Sequence, residues 1–148
     1  MNKVFIYIFV FLLFFGCRPE SFEHAVKKSF DSYLDTTTNS YQYIMLIPNS
    51  GCTGCISDAE YFFKEYNNSE EIFFIFTHVI SKKDLRIRLG KERLQRKNVL
   101  IDSDNLFYFE RFPESIYPIV AVIKDQKVVA LKDHVFLREK YPPKTIIE

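Results

Sequence analysis

Two continuous apolar runs with an amphipathic segment between them constrain the fold most strongly. Residues 41–47 and 72–80 are apolar nearly throughout, which predicts strands that are buried on both faces. Between these runs, apolar residues from Ile56 to Tyr66 recur at spacings of three and four, while most charged residues lie opposite them. This pattern predicts a helix. Strands that alternate with helices indicate an α/β domain.

Three further segments have helical patterns. Apolar residues at every fourth position predict a helix over residues 21–34. Ser81, followed three residues later by an acid, predicts the start of a helix that extends to about residue 96 and is weakened in its middle by Gly90. Asp102 or Ser103 is expected to cap a short helix that buries Leu106, Phe109 and Phe112.

The remaining strands complete a mixed sheet. Residues 99–101 form a short apolar run, and residues 119–123 and 128–131 flank a four-residue polar turn, which predicts a terminal β-hairpin. A tail interrupted by Pro142 and Pro143 follows. The fold class we expect is α/β, with three layers and a mixed β-sheet that ends in an antiparallel hairpin.

The N-terminus has the pattern of a secretion signal. Lys3 precedes an unbroken apolar run, residues 4–15, which is short for a membrane span. Gly16 then stands directly before Cys17, and this pair resembles the bacterial lipobox, in which the cysteine is lipidated and becomes the new N-terminus. A signal peptide that is cleaved without lipidation and an uncleaved anchor are the alternatives.

These boundaries define one domain. We expect residues 1–16 to be the signal peptide, residues 17–24 to be the lipidated cysteine and a short tether, and residues 25–148 to be the domain. Of the 148 residues, 132 remain after removal of the first 16, enough for one core. Removal of Lys3 leaves 19 basic against 19 acidic side chains. This balance gives no electrostatic reason to expect a nucleic-acid partner.

The two remaining cysteines, Cys52 and Cys55, carry the strongest chemical information. An exported chain folds where disulfides form and persist. The pair stands between a buried strand and a helix, so Cys52 is expected at a helix N-terminus. There, unpaired backbone N–H groups and the helix dipole stabilise a thiolate and favour attack by this sulfur. Cys55 lies one turn further on, where it is more shielded and can resolve a mixed disulfide.

Three other interpretations of the cysteine pair stay open. A structural disulfide is possible, although a bond that closes so small a loop restrains the unfolded chain little. A zinc site needs four ligands, and His24, His78 and His134 form no ligand-spaced pair. The pair can also be an incidental motif in a surface lipoprotein. We expect no metal and no cofactor.

The order of these elements resembles the thioredoxin fold, most closely the membrane-anchored TlpA-like and ResA-like thiol–disulfide oxidoreductases. The resemblance spans roughly residues 25–135 and depends on two features: Cys52 and Cys55 after a buried strand, and Tyr117–Pro118 just before the strand of the terminal hairpin. It implies that Pro118 belongs to the catalytic site, that its peptide bond is cis, and that it packs beside the disulfide.

The chain departs from this family in the surroundings of the motif. Gly51 stands where an aromatic residue usually precedes the first cysteine, and Tyr117 stands where thioredoxin has threonine. Residues 44–47 contain no acid, whereas thioredoxins carry one in this strand to accept the proton of the resolving cysteine. Glu60 can be considered as a base, although a solvated helix residue is the preferred interpretation.

The resemblance implies a membrane-anchored thiol–disulfide oxidoreductase in the cell envelope. Its partners would be the thiols or disulfides of envelope proteins, and the lipid on Cys17 would bind it to a bacterial membrane, with the domain in the periplasm or at the cell surface. Cys52 and Cys55 would exchange their disulfide with these partners. The alternative is a non-catalytic thioredoxin-like binding lipoprotein with a structural or vestigial disulfide.

Overall fold

The computed structural model describes residues 20–37 and 40–142. Within these residues there are five helices and five strands, and one turn of 3-10 helix, Pro113–Ile116, precedes the fourth strand. The elements are α1 Phe22–Thr37, β1 Tyr43–Pro48, α2 Thr53–Tyr66, β2 Ile72–Thr77, α3 Lys82–Leu89, α4 Lys91–Leu94, β3 Val99–Ile101, β4 Ile119–Lys124, β5 Lys127–Asp133 and α5 Val135–Lys140.

The five strands form one mixed sheet in the order β3-β2-β1-β4-β5. The three strands β1, β2 and β3 are parallel, and β4 is antiparallel to both β1 and β5. Asp125 and Gln126 connect β4 to β5 with φ angles of 49° and 60°, as a two-residue type I′ hairpin turn requires. The predicted mixed sheet and its antiparallel hairpin are confirmed.

Apolar side chains cover both faces of the sheet. One face packs against α2, α3, α4 and α5, through residues that include Met45, Phe63 and Phe74. The other face packs against α1 and the segment after β3, through residues that include Phe30 and Phe107. The strands β1 and β2 are continuous apolar runs because both are buried along their whole length, on both faces of the sheet. The predicted three-layer α/β architecture is therefore confirmed, and it agrees with the thioredoxin-like fold.

The helix expected after Asp102 is absent, and turns occupy its place. Asp102 does cap this segment, because its carboxylate accepts the backbone N–H groups of Leu106 and Phe107 at 3.0 and 2.9 Å. The same carboxylate accepts the hydroxyl of Thr77 at 2.8 Å. These side-chain hydrogen bonds compete with helical ones and hold the backbone in a turn. Phe107 is buried in place of Leu106, which is 64% exposed.

One predicted helix is divided in two, and one helix was not predicted. Gly90, with φ of 89°, separates α3 from α4, so the long helix expected up to residue 96 is two short ones. Helix α5 was not predicted within the tail that follows the hairpin. It spans only six residues, too few to show a helical period, and burial of Leu137 holds it to the sheet.

The predicted leader, Cys17 and the last six residues lie outside the described residues. The same applies to Arg18 and Pro19 of the tether. Across residues 20–37 and 40–142, no helix combines the length and the apolar character needed to cross a membrane.

Candidate functional site

The cysteine pair lies where β1 connects to α2. Cys52 is the N-cap of α2, with an extended backbone, and its carbonyl accepts the N–H of Ile56 at 2.9 Å. Cys55 lies in the first turn and forms a disulfide with Cys52, with the two Cα atoms 5.4 Å apart, a normal separation for a disulfide. The predicted position at a helix N-terminus is confirmed.

Solvent reaches the disulfide through a shallow surface depression. Both cysteines are half-buried. We call this feature the cysteine depression; it is lined by Cys52, Gly54, Cys55, Ser57, Asp58, Tyr61 and His134. A thiolate on another molecule can approach a disulfide placed in this way, which a fully buried staple would prevent.

Gly51 explains the absence of an aromatic residue before the first cysteine. A Cβ atom at this position would lie 2.5 Å from the carbonyl oxygen of Ile116 and 2.9 Å from its Cα. The φ angle of Gly51 is 139°, a conformation that side chains disfavour. The backbone N–H of Cys52 donates to the same carbonyl at 3.2 Å. The segment before Pro118 therefore lies directly against the motif.

The predicted cis bond at Pro118 is wrong, because no peptide bond within residues 20–37 and 40–142 is cis. Tyr117 has an extended backbone, with φ of −104° and ψ of 144°, which is the conformation favoured before a trans proline. Pro118 itself is buried directly before β4. Contact with the motif comes two residues earlier, through the carbonyl of Ile116.

An ionic cluster borders the cysteine depression. Asp58 lies on α2, three residues after Cys55, so the two share one side of the helix. Its carboxylate binds Arg138 of α5 through one oxygen, and its other oxygen lies 3.4 Å from Nε2 of His134. The side chain of His134 is only 13% exposed. Tyr61 stands beside them, and its hydrogen bond to Glu65 raises the pKa of its hydroxyl.

The two buried acids among the described residues, Asp102 and Glu60, both have hydrogen-bond or ion-pair partners. Asp102 binds Thr77 and two backbone N–H groups. Glu60, expected to be solvated, is 7% exposed and pairs with Arg88. Burial lowers the pKa of Arg88, but its hydrogen bonds to Glu60 and Asp84 outweigh burial and leave that pKa raised. The preferred interpretation of Glu60 as a solvated residue is therefore wrong.

A second histidine lies at the same edge of the sheet. His78 follows β2, and its Nδ1 is 2.6 Å from the hydroxyl of Ser50. Its ring stacks on Tyr108, with centroids 3.9 Å apart. The φ angle of His78 is 51°, a left-handed conformation that is uncommon outside glycine. Ser50 and Gly51 line a second depression, which the cysteines do not line.

Within residues 20–37 and 40–142, no three His, Cys, Asp or Glu residues stand close enough together to hold a metal ion. In comparisons with family models, with curated proteins and with solved structures, nothing matches this chain.

Sequence reasoning placed the two cysteines correctly but missed Asp58 and His134 beside them. A signal for Asp58 existed, because it follows Cys55 by three residues on a predicted helix. For His134 the sequence shows only that it follows the terminal hairpin.

Proposed function

We propose that this protein is a thiol–disulfide oxidoreductase that uses Cys52 and Cys55. The observation that carries the proposal is a half-buried disulfide at a helix N-terminus, open to a surface depression. The helix N-terminus stabilises the Cys52 thiolate once the disulfide is reduced. A disulfide across so short a loop restrains the unfolded chain little, so stabilisation of the fold alone is a weak reason for this bond.

Electrons and protons balance in a two-step exchange. The Cys52 thiolate attacks a partner disulfide, so a bond forms between Cys52 and one partner sulfur, and the other partner sulfur leaves as a thiolate and takes up a proton. Cys55 then loses its proton and attacks the sulfur of Cys52, which expels the second partner thiolate. Two electrons pass from the domain to the partner, and the domain becomes oxidised. The reverse direction uses the same atoms.

The segment that ends at Pro118 supports binding of a partner chain. Its backbone contacts the motif through Ile116 and Gly51. Two of its apolar side chains face solvent, since Ile116 is 36% and Tyr117 is 47% exposed. We assign Pro118 to the site as the residue that ends this segment and directly precedes β4. An extended partner segment laid along these residues would bring its cysteine to the disulfide.

The proposal includes attachment to a bacterial membrane through lipid on Cys17. The apolar run before Gly16–Cys17 supports it, and it places the domain in the cell envelope, among protein thiols and disulfides. Mass spectrometry of the membrane fraction is expected to show a mature chain that begins at an acylated Cys17. A soluble mature chain, or one that retains Met1, would contradict the lipid anchor. It would not bear on the redox proposal, which a separate experiment tests.

The redox proposal is tested by trapping partners in the native envelope. Cys55→Ser removes the resolving sulfur but keeps the attacking one, so disulfide-linked adducts are expected to accumulate and to disappear on reduction. Cys52→Ser is expected to form far fewer adducts. Because an unprocessed Cys17 could also crosslink, both variants are compared again in a Cys17→Ser background. Equal patterns, or no adducts from folded protein, would favour the non-catalytic binding lipoprotein.

A further inference from the structure

We propose that His134, held by Asp58, exchanges the proton of the cysteine pair across the cysteine depression. This inference rests on the proposed redox function. It assigns the group that accepts the proton of Cys55 in the second step of the exchange. Cys55 must lose a proton before it attacks Cys52, and the expelled partner thiolate must gain one. Proton transfer by a positioned group accelerates such a step strongly when the thiol is not ionised at ambient pH.

Among residues 20–37 and 40–142, the two buried acids both have partners already. Strand β1, which leads to the motif, is buried and has no acidic residue. Glu60 forms an ion pair with Arg88. The carboxylate of Asp102 accepts hydrogen bonds from Thr77 and from the backbone of the turn that follows β3. We therefore look for the proton acceptor on the open side of the disulfide, where the cysteine depression lies.

His134 is the histidine that lies on that open side. It lines the same depression as Cys52 and Cys55, so its imidazole and the two cysteines border one solvent-filled space, through which water can carry a proton. Its side chain is 13% exposed and lies 3.4 Å from Asp58, which limits the directions the ring can take. Histidine also changes charge between pH 5 and 8, so it can accept and return a proton.

The charged and titratable groups around His134 come from three elements. From α2, Asp58 and Tyr61 line the depression. From α5, Arg138 binds Asp58. At the end of β5, Asp133 accepts the backbone N–H of Phe136 at 3.2 Å. Asp58 is the group whose carboxylate lies next to the imidazole, and it acts through His134 as a positioning residue.

In the proposed step, one proton moves in each half. Neutral His134 takes the proton of the Cys55 thiol, and the resulting thiolate attacks the sulfur of Cys52. The bond between Cys52 and the partner breaks, and the departing thiolate takes the proton from the imidazolium. The histidine returns to its neutral form, and no further reactant is needed.

The test follows the second step with glutathione disulfide as the probe. The full chain is kept in mild detergent, carries Cys17→Ser in every variant, and is reduced before mixing. Acid quenching and mass spectrometry then separate reduced, glutathione-bound and oxidised protein at pH values from 5 to 10. His134→Asn removes the imidazole and leaves asparagine, a favoured N-cap residue, at the N-cap of α5. His24→Asn, on α1 and 68% exposed, is the matched control.

We expect the glutathione-bound form of His134→Asn to resolve about a hundredfold more slowly than the parent at pH 7. Above about pH 9.5 the difference should vanish, because an ordinary thiol ionises there unaided. His24→Asn should match the parent throughout. Asp58→Asn should slow resolution about tenfold and add nothing in the His134→Asn background, because it acts through His134.

Two results would overturn the inference. One is resolution by His134→Asn that equals the parent at pH 7, and the other is a deficit that stays equal at every pH, as a merely structural role would produce. His134→Gln is measured alongside, so that misfolding of one variant does not decide the outcome. If the parent itself forms no glutathione-bound species, the proposed redox function fails first.

Discussion

His78 and His134 follow parallel strands that end at the same edge of the sheet, yet their rings have different surroundings. Ser50 binds the ring of His78 at 2.6 Å, and Tyr108 stacks on its face at 3.9 Å. The ring of His134 lies 3.4 Å from the carboxylate of Asp58. His134 lines the cysteine depression with both cysteines, whereas Ser50, the partner of His78, lines a separate one.

The comparison shows that a histidine can lie close to the cysteine motif without bordering the depression into which the disulfide opens. A ring that is tied by a short hydrogen bond and by stacking contributes to the stability of its loop. A ring that borders the same depression as the cysteine pair is the one we propose for proton exchange with the reduced thiols. We therefore expect substitutions on the His78 side to change stability, and substitutions on the His134 side to change the pH dependence of thiol exchange.

Gly51→Ala is expected to have the largest effect on stability. The added Cβ would collide with the backbone of Ile116 at 2.5 Å, at a φ angle of 139°, so we expect a loss of about 3 kcal/mol or more in the free energy of unfolding. Urea denaturation of the oxidised protein measures it. Gly54→Ala is the matched control, because nothing lies within 4 Å of its Cβ, and a helical alanine should stabilise slightly. Equal effects at both glycines would refute the close approach.

Glu60→Gln separates a structural acid from the proposed proton-transfer group. Loss of the carboxylate leaves Arg88 with a weaker partner, and because the Arg88 side chain is 34% exposed, solvent compensates in part. We expect a loss of about 2 kcal/mol in the free energy of unfolding. Resolution of the glutathione-bound form should keep its dependence on pH. A flattened pH profile would assign the proton transfer to Glu60 in place of His134.

His78→Asn tests how much the contacts of the His78 ring contribute to stability. Asparagine tolerates the φ angle of 51°, so the substitution removes the stack on Tyr108 and the imidazole without straining the backbone. We expect a loss of about 1 kcal/mol in unfolding free energy, measured by urea denaturation. Glutathione exchange should match the parent from pH 5 to 10. A changed pH profile would mean that both histidines serve the disulfide.

Arg138→Gln is expected to have the smallest effect on stability. The side chains of Arg138 and Asp58 are 39% and 30% exposed, so solvent screens their attraction, and the loss should stay below about 1 kcal/mol. The difference between variant and parent should shrink further in about 1 M salt. A loss several times larger, unaffected by salt, would show that this ion pair holds α5 to the domain.

Several features could be predicted from the sequence because they depend on neighbours along the chain. Continuous apolar runs located the buried strands β1 and β2, and the polar turn located the hairpin. The position of Cys52 at a helix N-terminus followed from a strand, a breaker and a helical pattern in succession. The helix expected after Asp102 failed because hydrogen bonds from that carboxylate, one of them to distant Thr77, held the segment as a turn.

The features that the sequence could not determine all depend on contacts between segments far apart in the chain. Helix α5 is held by burial of Leu137, and Glu60 is buried against Arg88 of another helix. Tyr117–Pro118 was expected to contact the motif through a cis bond, but the backbone of Ile116 makes the contact.

By itself, the sequence determined the α/β class and the position of Cys52 and Cys55 at a helix N-terminus, because residue type and local periodicity carry both. Only the tertiary structure decided which side chains surround the cysteine pair. Asp58 and His134 meet because antiparallel pairing of β4 with β1 and β5 returns the chain to the edge where α2 begins, and no local pattern records that return.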